Sequence, residues 1–271
     1  MRVLARLLVS GLVLAATAGH ALAQGTPTTQ PSILTIIVEQ VKPGMDAEHE
    51  ANEAGWPAAF AKVNSPYYYM AIESLTGSPE VWFMSPYASF AAEGENMKLS
   101  QANPGLAAEQ ARLWRADGQY LEGTYTFQAM ARPDLSYGTF PDLSKVRFYE
   151  ITTMRVRLGH EQGWEAAAKV YMEQVKRAAP GMSYRIYQVT AGMPGSNYLI
   201  FSTVEDYAGF DKMMADGNSM WQGVPAKDMA TLQQSMTNDF QNVITNRFRV
   251  SPTMSYVAPE TRASDPSFWN R

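Results

Sequence analysis

The chain of 271 residues has a formal net charge of −4 at pH 7 and contains no cysteine. A mildly acidic chain without a basic cluster argues against nucleic acid and against anionic membranes as partners. The absence of cysteine excludes disulfides, thiolate metal sites and cysteine nucleophiles. The length allows one large domain or two small domains, each with a core.

Residues 1–23 carry the pattern of a secretory signal peptide. Arg2 and Arg6 precede the apolar run LLVSGLVLAA, and the Ala-Leu-Ala at 21–23 forms a small-x-small cleavage site. The alternative is an N-terminal membrane anchor, but the apolar run is too short to span a bilayer. We therefore predict cleavage after Ala23 and export to the periplasm or beyond the cell, with no membrane association after cleavage.

The next segment, after a polar lead-in at 24–32, predicts the order strand, helix, strand, strand, helix, helix, strand. Runs rich in β-branched and aromatic residues indicate the strands, and Pro and Gly clusters indicate the turns between them. The predicted strands are LTIIVEQV (34–41), PYYYMAIESL (66–75), VWFM (81–84) and GTYTFQAMAR (123–132). The first predicted helix follows KPGMD and ends near Val63. The second begins in SPYASFAA, and the third runs from Pro104 to about Tyr120.

The second half of the chain repeats this order. The predicted strands are YEITTMRV (149–156), MSYRIYQVT (182–190), NYLIF (197–201) and ITNRFRV (244–250). The first predicted helix of this half follows RLGHE and ends near Ala179. The second begins in VEDYAGFDKM, and the third runs from Pro225 to about Asn242. The motif RPDLSYG (132–138) recurs as SPTMSYV (251–257), and other landmarks recur at offsets that drift from 115 to 121 residues. These matches indicate a tandem duplication, with the Pro of each motif ending the last strand of its copy.

Each copy has the β-α-β-β-α-β order of a ferredoxin-like unit, whose sheet carries helices on one face only. We therefore predict an α+β fold in which two tandem ferredoxin-like (split βαβ) repeats pack sheet to sheet and close a barrel within one chain. The predicted boundaries are 33–138 for the first repeat, 139–145 for a linker, 146–257 for the second repeat and 258–271 for a loose tail. Such a chain can be a monomer or a homodimer.

The opening of the second repeat, FYEITTMRVRLGHEQGWEA (148–166), resembles that of dimeric α+β barrel proteins. Within that superfamily it is most similar to the NIPSNAP-like and antibiotic-biosynthesis-monooxygenase-like groups. The segment VKPGM (41–45) of the first repeat resembles the opening of these groups more weakly. The resemblance implies the fold above and covers most of the chain. It implies a range of functions: cofactor-free oxygenases, haem-binding and haem-degrading proteins, isomerases, and exported proteins of unknown role.

His49 and Glu53 are the candidate catalytic residues. They lie four residues apart on the first predicted helix, so they share a face. At an offset of 115 residues they replace Trp164 and Ala168 of the second repeat. The pair could act as a general base or as an axial haem ligand with a carboxylate partner. The alternative is that Pro57 bends the helix and turns both side chains to solvent.

Two strand carboxylates are candidate ligand-binding residues. Glu39 and Glu150 lie on the less apolar face of the first strand of each repeat, and we expect that face to line the space between the sheets. Arg185 or Arg155 would then be a partner for these carboxylates. The alternative interpretations are an inter-sheet salt bridge and a strand end open to water.

Tyr68 and Tyr184 are the remaining candidates for the ligand site, because the second strands are rich in tyrosine and alternate residues of a strand can line a pocket. The alternative is ordinary sheet packing. His160 lies in a turn before a helix, where the first repeat has Met45, and this position favours a helix-start residue over a ligand.

Two functions follow from these residues. The first is a non-catalytic exported protein that binds a small apolar or aromatic ligand between its repeats. The second is a cofactor-independent monooxygenase or isomerase, or a haem-binding enzyme. We predict no metal site and no required cofactor, and haem is the one cofactor for which the chain offers a candidate ligand.

Overall fold

A computed structural model describes residues 25–270, so the predicted signal peptide at 1–23 lies outside the described residues. In the first half the strands are β1 (Ile33–Val41), β2 (Tyr69–Ser74), β3 (Glu80–Tyr87) and β4 (Leu121–Ala131). The helices are α1 (Asp46–Glu53), α2 (Gly55–Lys62), α3 (Phe90–Ala102) and α4 (Pro104–Asp117). The predicted first helix is therefore two helices, because Pro57 has no N–H to donate to the carbonyl of Glu53.

The second half has the same order of elements. Its strands are β5 (Phe148–Val156), β6 (Arg185–Ala191), β7 (Ser196–Val204) and β8 (Phe240–Tyr256). Its helices are α5 (Glu161–Ala178), α6 (Gly209–Met220) and α7 (Ala226–Asn238), followed by the short α8 (Pro259–Ser264) and α9 (Pro266–Trp269). In the part of the chain that the structure describes, no helix is both long and apolar enough to cross a bilayer.

The eight strands form one closed antiparallel barrel in the order β1-β3-β2-β8-β5-β7-β6-β4. Strands β4, β1, β3 and β2 form the sheet of the first repeat, and β8, β5, β7 and β6 form that of the second. The two sheets join edge to edge at two seams, where β2 pairs with β8 and β4 pairs with β6. The predicted fold class, two ferredoxin-like repeats that build an intrachain α+β barrel, is confirmed.

The barrel interior is the main hydrophobic core, and both repeats contribute to it. It contains Leu34, Ile36 and Val38 of β1 together with Tyr149 and Ile151 of β5. The predicted assignment of faces was therefore wrong: this apolar set points into the barrel, and the set that includes Glu39 and Glu150 points outward beneath the helices. The enclosed interior takes the more apolar residues, because the outer face lies under helices that can offer polar partners.

The repeated motif joins the two repeats at the seams. In the first copy, Ser136 Oγ donates to the carbonyl of Arg132 at 2.8 Å and accepts from the N–H of Ile186 at 2.9 Å. In the second copy, Ser255 Oγ donates to the carbonyl of Ser251 at 2.5 Å and accepts from the N–H of Ala71 at 2.9 Å. Each copy thus supports the second strand of the other repeat.

The second copy of the motif departs from its prediction. It lies inside β8, which continues to Tyr256, and so Pro252 does not end the strand. The pairing of β8 with β2 shifts register between Tyr69 and Ala71, and this irregularity accommodates the proline.

The C-terminal segment also differs from the loose tail predicted for 258–271. It forms α8 and α9, and Trp269 is 1% exposed. The indole Nε1–H of Trp269 donates to the carbonyl of Ser144 at 3.1 Å, and the guanidinium of Arg147 lies 3.8 Å from the ring centroid of Phe268. The segment is therefore held against the linker between the repeats.

Candidate functional site

A cavity lies at the end of the barrel where β1, β2, β5 and β6 begin. Its volume is about 110 Å³, near the ~150 Å³ of an apolar cavity that holds benzene. The space between the lining side chains reaches about 860 Å³ when the part open to solvent is included. The walls come from the barrel interior, the N-terminal lead-in, the linker and the C-terminal segment, including Leu34, Met84, Phe140, Leu143, Phe201 and Val257.

Two predicted ligand residues, Tyr68 and Tyr184, lie in the wall of this cavity. They come from different repeats. The ring of Tyr184 packs beneath α5, 5.9 Å from the ring of Tyr171, and its hydroxyl is buried there without a hydrogen-bond partner. Tyr184 therefore contributes to the wall of the cavity, and its hydroxyl belongs to the core on the outer face of the sheet.

Arg185 is the charged residue of the cavity wall. Its Nη1 donates to the carbonyls of Tyr137 and Tyr184 at 2.5 and 2.7 Å, and its Nη2 donates to that of Gly138 at 2.8 Å. A guanidinium has five N–H donors, and these bonds use three. The carbonyls fix the side chain in place and leave donors for a ligand oxygen.

The other tyrosines of the wall are neutral phenols. Burial raises the pKa of Tyr149, of Tyr184 and of Tyr187. The hydroxyl of Tyr149 donates to Sδ of Met70 at 3.2 Å. These groups can donate hydrogen bonds, but none is poised as a base at neutral pH.

A second site, the buried polar cluster, lies on the outer face of the first sheet. It consists of Glu39 on β1, His49 and Glu53 on α1, and Asp117 at the end of α4. All four residues are buried. The exposed fraction is 1% for His49, 2% for Glu39 and for Glu53, and 0% for Asp117. His49 Nε2 lies 2.7 Å from Glu39 Oε2, and one donor atom each of Glu39, His49 and Glu53 lie within 4.8 Å of one another.

Neighbouring groups hold these carboxylates in position. The indole Nε1–H of Trp56 donates to Glu53 Oε1 at 2.9 Å. Asn52 donates to Asp117 Oδ1 at 2.6 Å, and Glu53 forms a hydrogen bond with the same carboxylate. The hydroxyl of Tyr69 is buried without a hydrogen-bond partner.

Burial is the main cause of the pKa shifts in the cluster. Burial, with the negative charges of Glu39 and Asp117 and a hydrogen bond to Asp117, raises the pKa of Glu53 to about 10. Burial also raises the pKa of Glu39, and the hydrogen bond and charge of His49 oppose that rise. Glu53 is therefore a neutral acid at pH 7.

The structure brings the predicted His49 and Glu53 together with Glu39, in the cluster and away from the cavity. The turn to solvent that Pro57 could have caused does not occur, because the break comes after Glu53. Glu150 lies apart on the outer face of β5, where Arg247 Nε donates to it at 3.0 Å. The expected placement of Glu39 and Glu150 between the sheets is thus corrected, and so is their expected pairing with Arg185 or Arg155.

His160 forms a hydrogen bond with Asp239, with Nδ1 and Oδ1 3.0 Å apart, and its side chain is 45% exposed. It lies just before α5, at the equivalent of Met45 before α1. The helix-start interpretation of His160 therefore agrees with its position.

The residues near His49 do not fit an axial haem ligand. Such a ligand must face a space as wide as a porphyrin, whereas His49 is enclosed between Glu39 and α1, and it does not line the cavity.

Sequence analysis missed several residues of both sites. Asp117 and Tyr69 belong to the buried cluster, and Phe140 and Leu143 of the linker belong to the cavity wall. One feature of the sequence could have indicated Asp117, because it is a carboxylate at the end of a helix and that helix packs on α2. No feature of the sequence indicates the linker residues, because the path of the linker across the barrel end depends on the tertiary structure.

Comparison with solved structures supports the fold. A "putative monooxygenase" from Fusobacterium nucleatum matches with a TM-score of 0.55 at 12% identity, over 82% of this chain and 93% of that one. A protein of the same description from Lactobacillus acidophilus has a TM-score of 0.51 at 8% identity, over 84% and 98%. An anthrone oxidase-like protein has a TM-score of 0.53 at 11% identity, over 83% and 93%.

The chain shares its α+β barrel fold with these structures. At such identities the likeness concerns the fold alone. No family model matches the sequence, and no curated protein matches it.

Proposed function

We propose that the protein binds a small aromatic molecule with an anionic or phenolic oxygen in the cavity at the barrel end. The observation that carries this proposal is the combination of an apolar, aromatic wall with the fixed guanidinium of Arg185. Apolar pockets with a few placed polar groups are typical of small-molecule sites.

The size and lining of the cavity set the ligand class. Its volume of about 110 Å³ is close to what one aromatic ring needs, and Tyr149, Tyr187 and Phe201 supply ring faces and edges to it. An oxygen anion at Arg185 would gain a charge-assisted hydrogen bond. The cavity is partly open to solvent, which leaves room for a second ring.

Calorimetric titration with 2-naphthoate tests this proposal. We expect one site per chain with a Kd of roughly 10–100 µM, since a ligand of this size gains a few tenths of a kcal/mol per atom. Its neutral analogue 2-naphthamide should bind about tenfold more weakly, because it lacks the charge for Arg185. The ligand is changed here instead of Arg185, because removal of Arg185 would leave the carbonyl of Gly138 without its partner and would take one hydrogen bond from the carbonyls of Tyr137 and Tyr184.

A matched pair of variants locates the site. Leu143 lines the cavity from the linker, so L143W should fill it and weaken binding at least tenfold. Leu75 is an exposed leucine outside the cavity, and L75W should bind within twofold of the wild type. Absence of binding at millimolar 2-naphthoate, or equal binding by both variants, would contradict the proposal.

A second candidate function is oxidation of an aromatic ligand in this cavity. It is favoured by the descriptions of the structural neighbours, two monooxygenases and an anthrone oxidase-like protein. Oxygen uptake by the purified chain with anthrone, lost in L143W and kept in L75W, would support it. Binding without oxygen uptake would leave the protein as a non-catalytic binder.

Titration with haemin separates the remaining alternative, a haem protein. We expect no sharp Soret shift at one haemin per chain, because His49 is enclosed. A stoichiometric shift would place haem in the cavity and would contradict a site for small aromatic acids.

We also propose that the chain is exported after cleavage at Ala23 and that it is related to NIPSNAP-like or antibiotic-biosynthesis-monooxygenase-like barrel proteins. The signal-peptide pattern and the opening of the second repeat support these proposals. The N-terminal sequence of the protein from a periplasmic fraction tests the first, and an N-terminus at Gln24 is the expected result.

A further inference from the structure

We propose that Glu39, His49 and Glu53 bind one divalent transition-metal ion, of the Zn²⁺ type, beneath α1 and independently of the cavity. Within residues 25–270 they are the one group of at least three His, Cys, Asp or Glu residues whose donor atoms converge in this way. Imidazole and carboxylate together suit first-row divalent ions, and no thiolate is needed.

The distances fit an ion with little rearrangement. Metal–nitrogen and metal–oxygen bonds of about 2.0–2.2 Å place the ligand atoms of a tetrahedral ion about 3.4 Å from one another. The three donor atoms all lie within 4.8 Å of one another, so closing around an ion requires movements of less than about 1 Å. Side chains of Glu39 and Glu53 can supply such movements.

An unpartnered group next to the triad points to a missing ligand. The hydroxyl of Tyr69 is buried without a hydrogen-bond partner beside the same carboxylates. Buried polar atoms are normally satisfied, so this orphan calls for an occupant. Asp117 is also enclosed here, and its carboxylate is held by Asn52 and by the acid proton of Glu53.

The composition of the cluster also suits a cation. Three carboxyl groups and one imidazole are enclosed together, and no ion pair in the described part of the chain joins any of them to a lysine or arginine. Buried charges are generally paired or bind metal ions. A divalent ion would pair with these carboxylates as they lose their protons.

The second repeat shows that the fold does not require these residues. At the same positions of β5 and α5 it carries Met154, Trp164 and Ala168, which pack in an apolar cluster. The first repeat therefore replaces three apolar residues by three metal-ligating ones at a site that packs well without them. A structural role alone does not explain that exchange.

Metal titration of the full mature chain tests the inference. The protein is stripped with EDTA and refolded with Zn²⁺, since the site is enclosed, and Co²⁺ serves as a spectroscopic probe. We expect one Zn²⁺ per chain with micromolar affinity or tighter, a rise in Tm, and visible d–d absorption with Co²⁺.

Three variants make the test specific. E53Q keeps the oxygen that accepts from Trp56, and both E53Q and H49Q should weaken Zn²⁺ binding at least 100-fold. H160Q removes a histidine that also has a carboxylate partner, and it should bind like the wild type. Circular dichroism checks that each variant is folded.

The contrary results are equally clear. No Zn²⁺ or Co²⁺ binding by the wild-type chain would overturn the proposal. So would binding that E53Q and H49Q retain, or binding that H160Q loses.

Discussion

Glu53 is the residue whose ionisation we expect to affect stability most. In the unfolded chain its carboxyl ionises near pH 4.5, whereas in the folded protein its pKa is about 10. Between these values the folded state keeps a proton that the unfolded state has lost. The contribution of Glu53 to folding therefore becomes less favourable as pH rises through this window.

The substitution E53Q should remove this dependence in metal-free protein. With EDTA present, its free energy of unfolding should exceed that of the wild type by roughly 1–3 kcal/mol at pH 8, or several degrees in Tm, and by little at pH 4.5. Thermal melts across pH 4.5–9 measure this. The exposed Glu48 on the same helix provides the control E48Q, and a pH-independent difference for E53Q would contradict the assignment.

Comparison of the two copies in the sequence predicted the His49 and Glu53 pair, because a polar residue replaced an apolar one at a known helix position. The same comparison was available for Glu39 against Met154, but Glu39 was assigned to the wrong face. Asp117 and Tyr69 could not be placed with the pair, since nothing local in their segments indicates convergence on α1.

The serine of the repeated motif is the residue on which each seam depends. Ser255 is fully buried and serves both the carbonyl of Ser251 and the N–H of Ala71. The variant S255A leaves that N–H without its partner and should cost about 1–3 kcal/mol. In chemical denaturation, S219A is the control, because Ser219 is exposed and bonds only within its helix. Equal stability of the two variants would show that the seam does not need Ser255.

The turn between β6 and β7 closes tightly on β4 of the other repeat. Gly192 has φ +90°, and a Cβ there would overlap the carbonyl oxygen of Thr126 and lie 2.7 Å from Cα of Phe127. Gly44 has φ +81° with nothing within 4 Å of such a Cβ. Both positions carry the cost of a left-handed conformation, but only Gly192 adds a clash with backbone.

We therefore expect G44A to cost about 1 kcal/mol and G192A at least about 3 kcal/mol. Guanidinium unfolding of both variants measures the difference. A similar loss for the two would mean that β6 and β4 are not as close as described.

At the scale of elements, the sequence predicted order and type well but faces poorly. Strand alternation is a reliable signal when one face meets water, whereas β1 has the barrel core on one face and buried residues beneath helices on the other. Strand β1 therefore carries apolar residues on both faces, with Leu34 inside the barrel and Ile37 outside it. The apolar pattern predicts neither the break between α1 and α2 before Pro57 nor the extension of β8 through Pro252. Each depends on how the chain accommodates one proline.

The whole molecule should unfold in one step. The core inside the barrel draws on both repeats, and the two seams join their sheets edge to edge. Neither repeat can keep its half of the core buried when the other opens. Guanidinium unfolding should give coincident transitions by circular dichroism and by tryptophan fluorescence, since both halves contain tryptophan. Two separate transitions would indicate independent domains.

The measurement that tests the account most directly is a crystal structure of the mature chain with 2-naphthoate. We predict a closed eight-stranded barrel with the ligand between Tyr68, Leu143 and Tyr184 and its carboxylate at Arg185. An open barrel, or a ligand bound elsewhere while this cavity stays free of it, would contradict the account.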